Sequence, residues 1–472
     1  MTRDRPTRIG MISLGCAKNL VDTEVMLGHL DRAGCEFVQD PDEADVIVVN
    51  TCGFIEPARE ESVNTILQAA ELKKTGKLRR LVVAGCMVQR YREELETNLP
   101  EVDAFVDLDE LDRVVARAGL ATGARRAGES ALCSDLPVLP TNGTTEVPSA
   151  TAVAAWNAAT YLYDDRTPRR LATPSWSAYV KIAEGCDHTC AFCAIPSFRG
   201  GFRSRQPESI VREATNLARR GVRELNLIAQ DSSHYGRDLG LQDGLATLLE
   251  ELERIDELRW IRVHYLYPNT ITDRLIDTMA ACSRVVPYVD LPLQHAHPDV
   301  LKRMRRGGTA ETFLDLLGKF RAAIPDVTLR STFIAGFPGE TEEEFGTLVE
   351  FVHRARFDHL GVFEYSHEQR TPAATLRDDV PSGVKQRRRA TLMECQQTVA
   401  FERNARMIGR RVEVLVEGPH PETEHLLVGR TAGQAPDVDG QILINDGLAT
   451  PGSFATVELT ETAGYDLIGR VV

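Results

Sequence analysis

Three cysteines lie close together near the middle of the chain, in the stretch KIAEGCDHTCAFCAIP. Cys186, Cys190 and Cys193 form a C-x3-C-x2-C pattern, which places three thiol side chains within eight residues. Thiolates are soft ligands that suit iron–sulfur clusters or zinc. A 4Fe–4S cluster held by three cysteines keeps one iron open for a small chelating molecule. The alternative is a structural zinc site, with His188 or a distant residue as the fourth ligand.

Three further cysteines each follow a β-branched run that is typical of a buried parallel strand. Cys16 follows RIGMISLG, Cys52 follows ADVIVVNT and Cys86 follows LRRLVVAG, at separations of 36 and 34 residues. In an open α/β sheet the carboxyl ends of the strands share one edge and form the usual ligand crevice, so these thiols are expected to converge. The alternative is ordinary packing as small apolar residues. The remaining cysteines show no such pattern and are assigned to packing or solvent: Cys35, Cys133, Cys282 and Cys395.

The sequence predicts an α/β multidomain protein. Its 472 residues exceed one ordinary domain, and the patterns of strands and helices divide it into several regions. Residues 1–122 alternate strand and helix patterns, which predicts an N-terminal domain with a parallel sheet. Residues 123–172, rich in Ala, Gly, Thr and Pro, are interpreted as a linker or insertion. Residues 173–405 carry six candidate strands in βα order, which predicts a partial TIM-type (β/α)6 barrel. The short strands and turns of residues 406–472 predict a small β-barrel.

The charge of the chain favours a basic partner over nucleic acid. The formal net charge is −14, and affinity for a phosphate backbone depends largely on Lys and Arg. From Arg406 to the end, five basic and ten acidic residues give −5. No secretory signal and no run near the roughly 20 apolar residues of a membrane span is recognisable. We therefore expect a cytoplasmic protein, in which clustered cysteines are metal ligands or catalysts rather than disulfides.

The C-x3-C-x2-C spacing resembles that of the radical S-adenosylmethionine superfamily. Together with the three cysteines of the first domain and the β-rich tail, it makes the chain resemble a methylthiotransferase with a C-terminal TRAM domain. The stretches MISLGCAKNLVDTEVMLG, YVKIAEGCDHTCAFCAIPSFRGGFRSR, IAQDSSHYGRD and YDLIGRVV resemble the subfamily that modifies protein 12 of the small ribosomal subunit. The acidic tail independently favours that basic protein as substrate, since complementary charges steer association.

The resemblance implies two 4Fe–4S clusters and S-adenosylmethionine as cofactors. The C-x3-C-x2-C cysteines would hold the radical-generating cluster, and Cys16, Cys52 and Cys86 an auxiliary one. It implies that a deoxyadenosyl radical removes hydrogen from the β-carbon of a target aspartate. Sulfur would come from the auxiliary cluster and the methyl group from a second S-adenosylmethionine. An electron donor such as a flavodoxin or ferredoxin is implied; a membrane partner is not, and tRNA is disfavoured.

Other residues of the predicted barrel are candidates for binding S-adenosylmethionine. Gln230 and Gln294 end the second and fourth strands at the expected mouth, and Arg330 on the fifth strand could pair with the carboxylate. Each could equally be a satisfied polar group of the barrel. The stretch FIAGFPGETEEEF invites a phosphate-loop interpretation, but Thr341 followed by Glu344 predicts a helix capping box instead.

Two other functions remain open from the sequence. The first is an adenosine methylthiotransferase acting on tRNA, with the same chemistry on another substrate. The second is a non-enzymatic adaptor, stabilised by zinc or a cluster, that binds RNA or the ribosome. The stretch VKQRRRATLMECQ places four basic residues on one helix, which we interpret as a solvated face rather than an RNA-binding surface.

Overall fold

The computed structural model describes residues 5–74, 76–120 and 158–472. These divide into two compact units. Unit 1 comprises Met1–Ser175, Tyr179–His188 and Cys193–Glu213; unit 2 comprises Trp176–Ala178, Thr189–Phe192 and Ala214–Val472. Most of the predicted insertion, with Cys133, lies outside the described residues.

Unit 1 is built on a five-stranded parallel sheet with the strand order β2-β1-β3-β4-β5. The strands are β1 Arg8–Ser13, β2 Glu36–Phe37, β3 Val46–Thr51, β4 Arg80–Gly85 and β5 Ala104–Val106. All residues of β3 and all but the first of β4 are buried, as expected for strands covered on both faces. In this doubly wound order the chain changes direction between β1 and β3, and ligands bind beyond the carboxyl ends of such strands. The parallel α/β sheet predicted for the N-terminal part of the chain is confirmed.

The helices of unit 1 follow the strands along the chain, and α3 begins at the residue directly after β4. They are α1 Ala17–Arg32, α2 Glu56–Lys74, α3 Cys86–Asn98, α4 Val114–Arg117 and α5 Ile195–Arg199. A short antiparallel pair, β7 Ala183–Glu184 with β8 Arg203–Ser204, completes the unit. Two elements contain residues of both units, β6 Ser177–Lys181 and α6 Pro207–Arg219.

Residues 158–172 of the predicted insertion are described, and their side chains form packing contacts and ion pairs within unit 1. Ala159, Tyr163 and Leu171 are buried. The guanidinium of Arg169 donates to Glu24 at 2.6 and 2.9 Å, and its Nη1 donates to Glu213 Oε1 at 2.6 Å. Residues 158–172 therefore contribute buried side chains and buried ion pairs to the same unit as the parallel sheet.

The first part of unit 2 alternates parallel strands with helices. Its strands are β9 Glu224–Ile228, β10 Trp260–Val263, β11 Tyr288–Gln294, β12 Thr328–Ala335 and β13 His359–Glu364. Its helices are α7 Gly244–Leu252, α8 Asp273–Ala281, α9 Pro298–Arg303, α10 Ala310–Ala323, α11 Glu342–Ala355 and α12 Ser382–Met407. The strands form the orders β10-β9-β6 and β11-β12-β13, and a parallel bridge joins Ile261 to Val285. This is the predicted six-stranded α/β arrangement.

The second part of unit 2 is a closed barrel with the order β14-β15-β16-β18-β17, in which β14 also pairs with β17. Its strands are β14 Arg411–His420, β15 Thr423–Arg430, β16 Ile442–Asp446, β17 Phe454–Ala463 and β18 Asp466–Val471. The predicted small β-barrel is confirmed. Gly469 interrupts the apolar pattern of β18. A side chain would not fit at this position, because a Cβ there would lie 2.5 Å from Val457 Cγ1.

Two predictions about helices have opposite outcomes. The capping box of α11 is confirmed, since Thr341 Oγ1 accepts from Glu344 N and Glu344 Oε2 accepts from Thr341 N. The solvated basic face predicted for α12 is wrong for two of its four residues, because Lys385 and Arg388 are buried and paired with carboxylates of the same unit. Arg387 and Arg389 are exposed, as predicted. Within the described ranges, no helix combines the length and apolar character needed to cross a membrane.

Candidate metal centres

Cys16, Cys52 and Cys86 lie beyond the carboxyl ends of β1, β3 and β4, three neighbouring strands of unit 1. Cys16 is the N-cap of α1, and Cys86 is the first residue of α3. The first turn of a helix offers free N–H groups and the positive end of the helix dipole, both of which favour a thiolate. The strand-to-helix turns thus present three thiols at the edge where this kind of sheet binds ligands.

The structure brings these three cysteines together. A Cβ atom on Gly15 would lie 2.9 Å from Cys52 Cβ and 3.1 Å from Cys52 Sγ, so the Cys16 loop packs directly on Cys52. Burial raises the pKa of the Cys86 thiol to about 12, and charge on Cys52 and Cys16 acts in the same direction. The loops of Cys16 and Cys52 are therefore in direct contact, and both cysteines lie near enough to Cys86 to affect its pKa.

Asn19 connects two of the loops that carry these cysteines. Its Nδ2 donates to Leu14 O at 2.7 Å and to Thr51 O at 3.1 Å, the residues just before the loops of Cys16 and Cys52. Asn50 Nδ2 in turn donates to Asn19 O at 2.8 Å. All of these bonds are buried, so the cysteine loops are held by a fixed frame of amide hydrogen bonds.

A set of three thiolates fits an iron–sulfur cluster. In such a cluster each thiolate binds a different iron, so three cysteines can hold a 4Fe–4S cluster with one iron open. A structural zinc ion needs four ligands. Among the described residues, two groups of three candidate metal ligands lie mutually within 4.8 Å, and neither contains Cys16, Cys52 or Cys86.

A buried group of charged residues adjoins Cys86 on one side. Arg199 Nη2 donates to Cys86 Sγ at 2.9 Å and to Asp22 Oδ2 at 3.0 Å, while Nη1 donates to Glu184 Oε2 at 3.0 Å. Lys181 Nζ also donates to Asp22 and, at 2.7 Å, to Glu184. Although burial opposes it, charge on Cys86, Glu184 and Asp22 holds the pKa of Arg199 well above its usual value. We call Arg199, Lys181, Asp22 and Glu184 the charged tetrad.

Sequence reasoning did not single out the charged tetrad. Its members are separated by up to 177 residues. All four lie in two of the stretches that carry the family resemblance, but neither stretch shows that they meet. On another side Cys86 packs in a cluster with Leu108, Ala159, Ala194 and Phe198. The Cys86 side chain therefore lies between apolar residues on one side and the charged tetrad on another.

The C-x3-C-x2-C loop follows β7. In unit 1, Cys186 N donates to Gly200 O at 3.0 Å, and Cys193 directly precedes the turn into α5. In unit 2, Cys190 is buried, and Arg306 Nη1 lies 3.5 Å from its sulfur as a donor. Ala191 N donates to Met304 O at 2.8 Å, which fixes the backbone beside Cys190.

The three predicted barrel residues lie in unit 2 at different ends of the strands. Gln230 follows β9, and Gln294 ends β11 with a φ of 73°; both are half-buried. Arg330 is the third residue of β12, near the amino end of the strand, and donates to Asp290 Oδ1 at 3.0 Å. A second carboxylate, Asp439, lies 3.5 Å from Arg330 Nε. Arg330 thus already has two internal carboxylates, at the end of the strands opposite to the one where such barrels carry active sites.

The other described cysteines lie apart from these groups. Burial raises the pKa of Cys35 to about 11 and also raises the pKa values of Cys282 and Cys395. All three are free and half-buried, in agreement with packing roles.

Three family models match consecutive parts of the chain. Residues 8–107 match the uncharacterized protein family UPF0004. Residues 180–352 match the radical SAM superfamily, and residues 408–472 match the TRAM domain.

Similar proteins extend over nearly the whole chain. Proteins named ribosomal protein uS12 methylthiotransferase RimO are 49% identical in Anaeromyxobacter sp. (strain K), 47% in Koribacter versatilis and 47% in Myxococcus xanthus. The alignments cover 99%, 99% and 100% of this chain and 93%, 97% and 93% of those proteins.

Among solved structures, the radical S-adenosylmethionine methyltransferase TsrM from Kitasatospora setae has a TM-score of 0.50 at 15% identity. The match covers 78% of this chain and 74% of that one, and at this identity it shows the fold alone. The three matched modules and the full-length identity agree with one another. The chain therefore belongs to the RimO family of radical S-adenosylmethionine methylthiotransferases.

Proposed function

We propose that this enzyme attaches a methylthio group to the β-carbon of an aspartate in ribosomal protein uS12, using two 4Fe–4S clusters and S-adenosylmethionine. The observation that carries the proposal is the meeting of Cys16, Cys52 and Cys86 in unit 1, in a chain that also has a C-x3-C-x2-C loop. One set of three cysteines suffices for radical generation, so the second set has a separate task. Relatives at 47–49% identity carry the uS12 methylthiotransferase name.

The residues of the chain would divide the work between two sites. Cys186, Cys190 and Cys193 would hold a cluster for the reductive cleavage of S-adenosylmethionine to a carbon-centred radical, and Cys16, Cys52 and Cys86 would hold an auxiliary cluster that would supply the sulfur. Such a radical is required because the target C–H bond is not acidic. The protein's own contribution is to fix the thiolates, to leave one iron of each cluster open and to exclude water.

The barrel residues are assigned according to their place on the strands. Gln230 and Gln294 lie at the carboxyl ends of β9 and β11, so we propose them as polar contacts for S-adenosylmethionine. Arg330 was the third candidate, but its ion pairs with Asp290 and Asp439 favour the alternative of an internal polar group. Arg306 donates towards the sulfur of Cys190, so it is better placed than Arg330 to pair with the carboxylate of S-adenosylmethionine.

The charge of the C-terminal barrel supports a basic protein substrate. Asp439 and Arg430 are buried in internal ion pairs, and their two charges sum to zero. The −5 counted from Arg406 onward therefore remains for the rest of the tail. Complementary charge of this sign would steer a ribosomal protein and repel the phosphate backbone of tRNA. The proposal places the reaction in the cytoplasm, with a flavodoxin or ferredoxin as electron donor.

A substrate-choice experiment tests the proposal. The full chain is reconstituted with iron and sulfide without oxygen, then given S-adenosylmethionine, a reductant, and either uS12 or unmodified tRNA. Mass spectrometry of both substrates should show a methylthio group on an aspartate of uS12 and none on tRNA. A methylthio group on tRNA alone would overturn the substrate, and zinc binding without deoxyadenosine formation would favour the non-enzymatic adaptor.

Single substitutions separate the two clusters. Cys86→Ala should lose about half of the bound iron while still forming deoxyadenosine, whereas Cys190→Ala should lose the other half and form none. Cys282→Ala is the matched control, because this half-buried cysteine lies outside both sets. Full iron content in Cys86→Ala would remove Cys86 from the proposed ligands.

A further inference from the structure

Arg199 contacts a proposed cluster ligand but has no role in the chemistry described above. Its guanidinium donates to Cys86 Sγ at 2.9 Å, in unit 1 and 113 residues away in sequence. Its side chain is 4% exposed, so water does not compete for this contact. A buried guanidinium directed at a ligand sulfur is a hydrogen bond to the atom that would bind iron.

We propose that Arg199 is a positioning residue that raises the reduction potential of the auxiliary cluster by donating a hydrogen bond to the sulfur of Cys86. The inference rests on the proposed ligand set Cys16, Cys52 and Cys86. Hydrogen bonds to ligand sulfurs are one of the means by which a protein sets the potential of an iron–sulfur cluster. Because one-electron reduction adds negative charge to the cluster and its sulfurs, a charged donor stabilises the reduced form more than the oxidised form.

The rest of the charged tetrad explains why this effect is local. Two cations, Arg199 and Lys181, face two carboxylates, Asp22 and Glu184, so the tetrad has no net charge. Its field largely cancels at a distance, and the directed N–H···S bond is what reaches the cysteine. The carboxylates orient the guanidinium, since Asp22 shares Nη2 with Cys86 while Glu184 holds Nη1.

Lys181 provides a matched control inside the same tetrad. It bears the same charge, lies as deeply buried and pairs with the same two carboxylates. Its ammonium group donates to those two carboxylates rather than to a cysteine. Replacing Lys181 therefore removes one buried cation without removing the N–H···S bond.

The experiment isolates the auxiliary cluster in the full chain. The parent carries Cys186→Ala, Cys190→Ala and Cys193→Ala, so that only the cluster of unit 1 is reconstituted. Arg199→Gln, Arg199→Lys and Lys181→Gln are added to this parent one at a time. The readouts are iron per chain, the midpoint potential from an anaerobic redox titration, and the electron paramagnetic resonance signal of the reduced cluster.

Arg199→Gln should lower the equilibrium constant for one-electron reduction at least tenfold, which is about 59 mV towards more negative potential. It should also change the g-values of the reduced cluster. Lys181→Gln should shift the potential by less than half as much. If Arg199→Gln does not take up iron, Arg199→Lys becomes decisive, because it keeps the charge but shortens the donor. A lowered potential in that variant supports the proposal.

An unchanged potential in Arg199→Gln, or equal shifts in Arg199→Gln and Lys181→Gln, would overturn the proposal while leaving the ligand set intact. A parent that binds no cluster would instead overturn the ligand set, and the inference with it. The two failures are thus distinguished by iron content before any potential is measured.

Discussion

Asn19 shows how one short side chain positions two cysteine-bearing loops. Its amide nitrogen satisfies the carbonyls of Leu14 and Thr51, and the residue is 1% exposed. Asn19→Ala would leave both carbonyls buried without this donor, at a cost of about 1–3 kcal/mol each. We expect the free energy of unfolding of the cluster-free protein to fall by about 2–6 kcal/mol in urea denaturation. Asn98→Ala, at an exposed site on α3, should change it little; equal effects would contradict the framing role.

Glu344 should make the stability of the protein depend on pH in the acid range. The hydrogen bond from Arg303 is the main cause that lowers the pKa of Glu344 from 4.5 to about 2. Because the folded pKa lies below the unfolded one, the stabilisation is complete above pH 4.5 and is lost as pH falls towards 2. Thermal unfolding between pH 5 and 2 should therefore show a steeper decline for the parent than for Glu344→Gln.

Glu343→Gln is the control for that measurement, since Glu343 is exposed in the same turn of α11. Its curve should follow that of the parent. If Glu344→Gln instead kept the full acid-dependent decline, other carboxylates would be responsible for it.

At the scale of the element, the turn between β1 and α1 requires a residue without a side chain. Gly15 has a φ of 89°, and a Cβ there would lie 2.9 Å from Cys52 Cβ. Gly15→Ala should displace Cys52 and lower the iron retained by unit 1 after reconstitution to less than half. Gly76→Ala is the matched control, because its φ of 80° imposes similar backbone strain with no atom within 4 Å. Equal iron loss in both variants would mean that strain, not the contact with Cys52, is responsible.

The elements also show which parts of the site can be predicted from sequence. The positions of Cys16, Cys52 and Cys86 follow from apolar runs that read as parallel strands, since the carboxyl ends of such strands share an edge. The contact of Arg199 with Cys86 could not be predicted, because it joins residues 113 positions apart that no periodic pattern relates. The burial of Lys385 and Arg388 was missed for the same reason, since their carboxylate partners Asp378 and Glu340 come from outside α12.

At the scale of the whole molecule, one ion-pair group anchors the C-terminal barrel within unit 2. Arg430 of β15 donates to both oxygens of Glu224, at the start of β9, at 3.1 and 2.7 Å, and Arg262 of β10 pairs with the same carboxylate. Burial alone would raise the pKa of Glu224, but Arg430 and Arg262 hold it well below its usual range. The carboxylate therefore remains charged in a buried position and depends on both arginines.

Arg430→Met should leave Glu224 with one arginine and destabilise unit 2 by about 3–5 kcal/mol, the typical result of breaking a buried pair. Thermal unfolding followed by tryptophan fluorescence would measure the change. Arg470→Met is the control, since Arg470 is exposed and its pair with Glu458 should contribute less than about 1 kcal/mol. A similar loss in both variants would show that Glu224 tolerates a single partner.

The two sets of cysteines come together under different conditions during synthesis of the chain. The C-x3-C-x2-C loop is a continuous segment, so its thiols are near one another as soon as that segment has been made. Cys16, Cys52 and Cys86 meet only after β1, β3 and β4 have paired in their parallel order. Arg199, which contacts Cys86, is made 113 residues later. Assembly of the proposed auxiliary cluster would therefore require a folded sheet, and a nascent chain short of Arg199 lacks one of the charged contacts of Cys86.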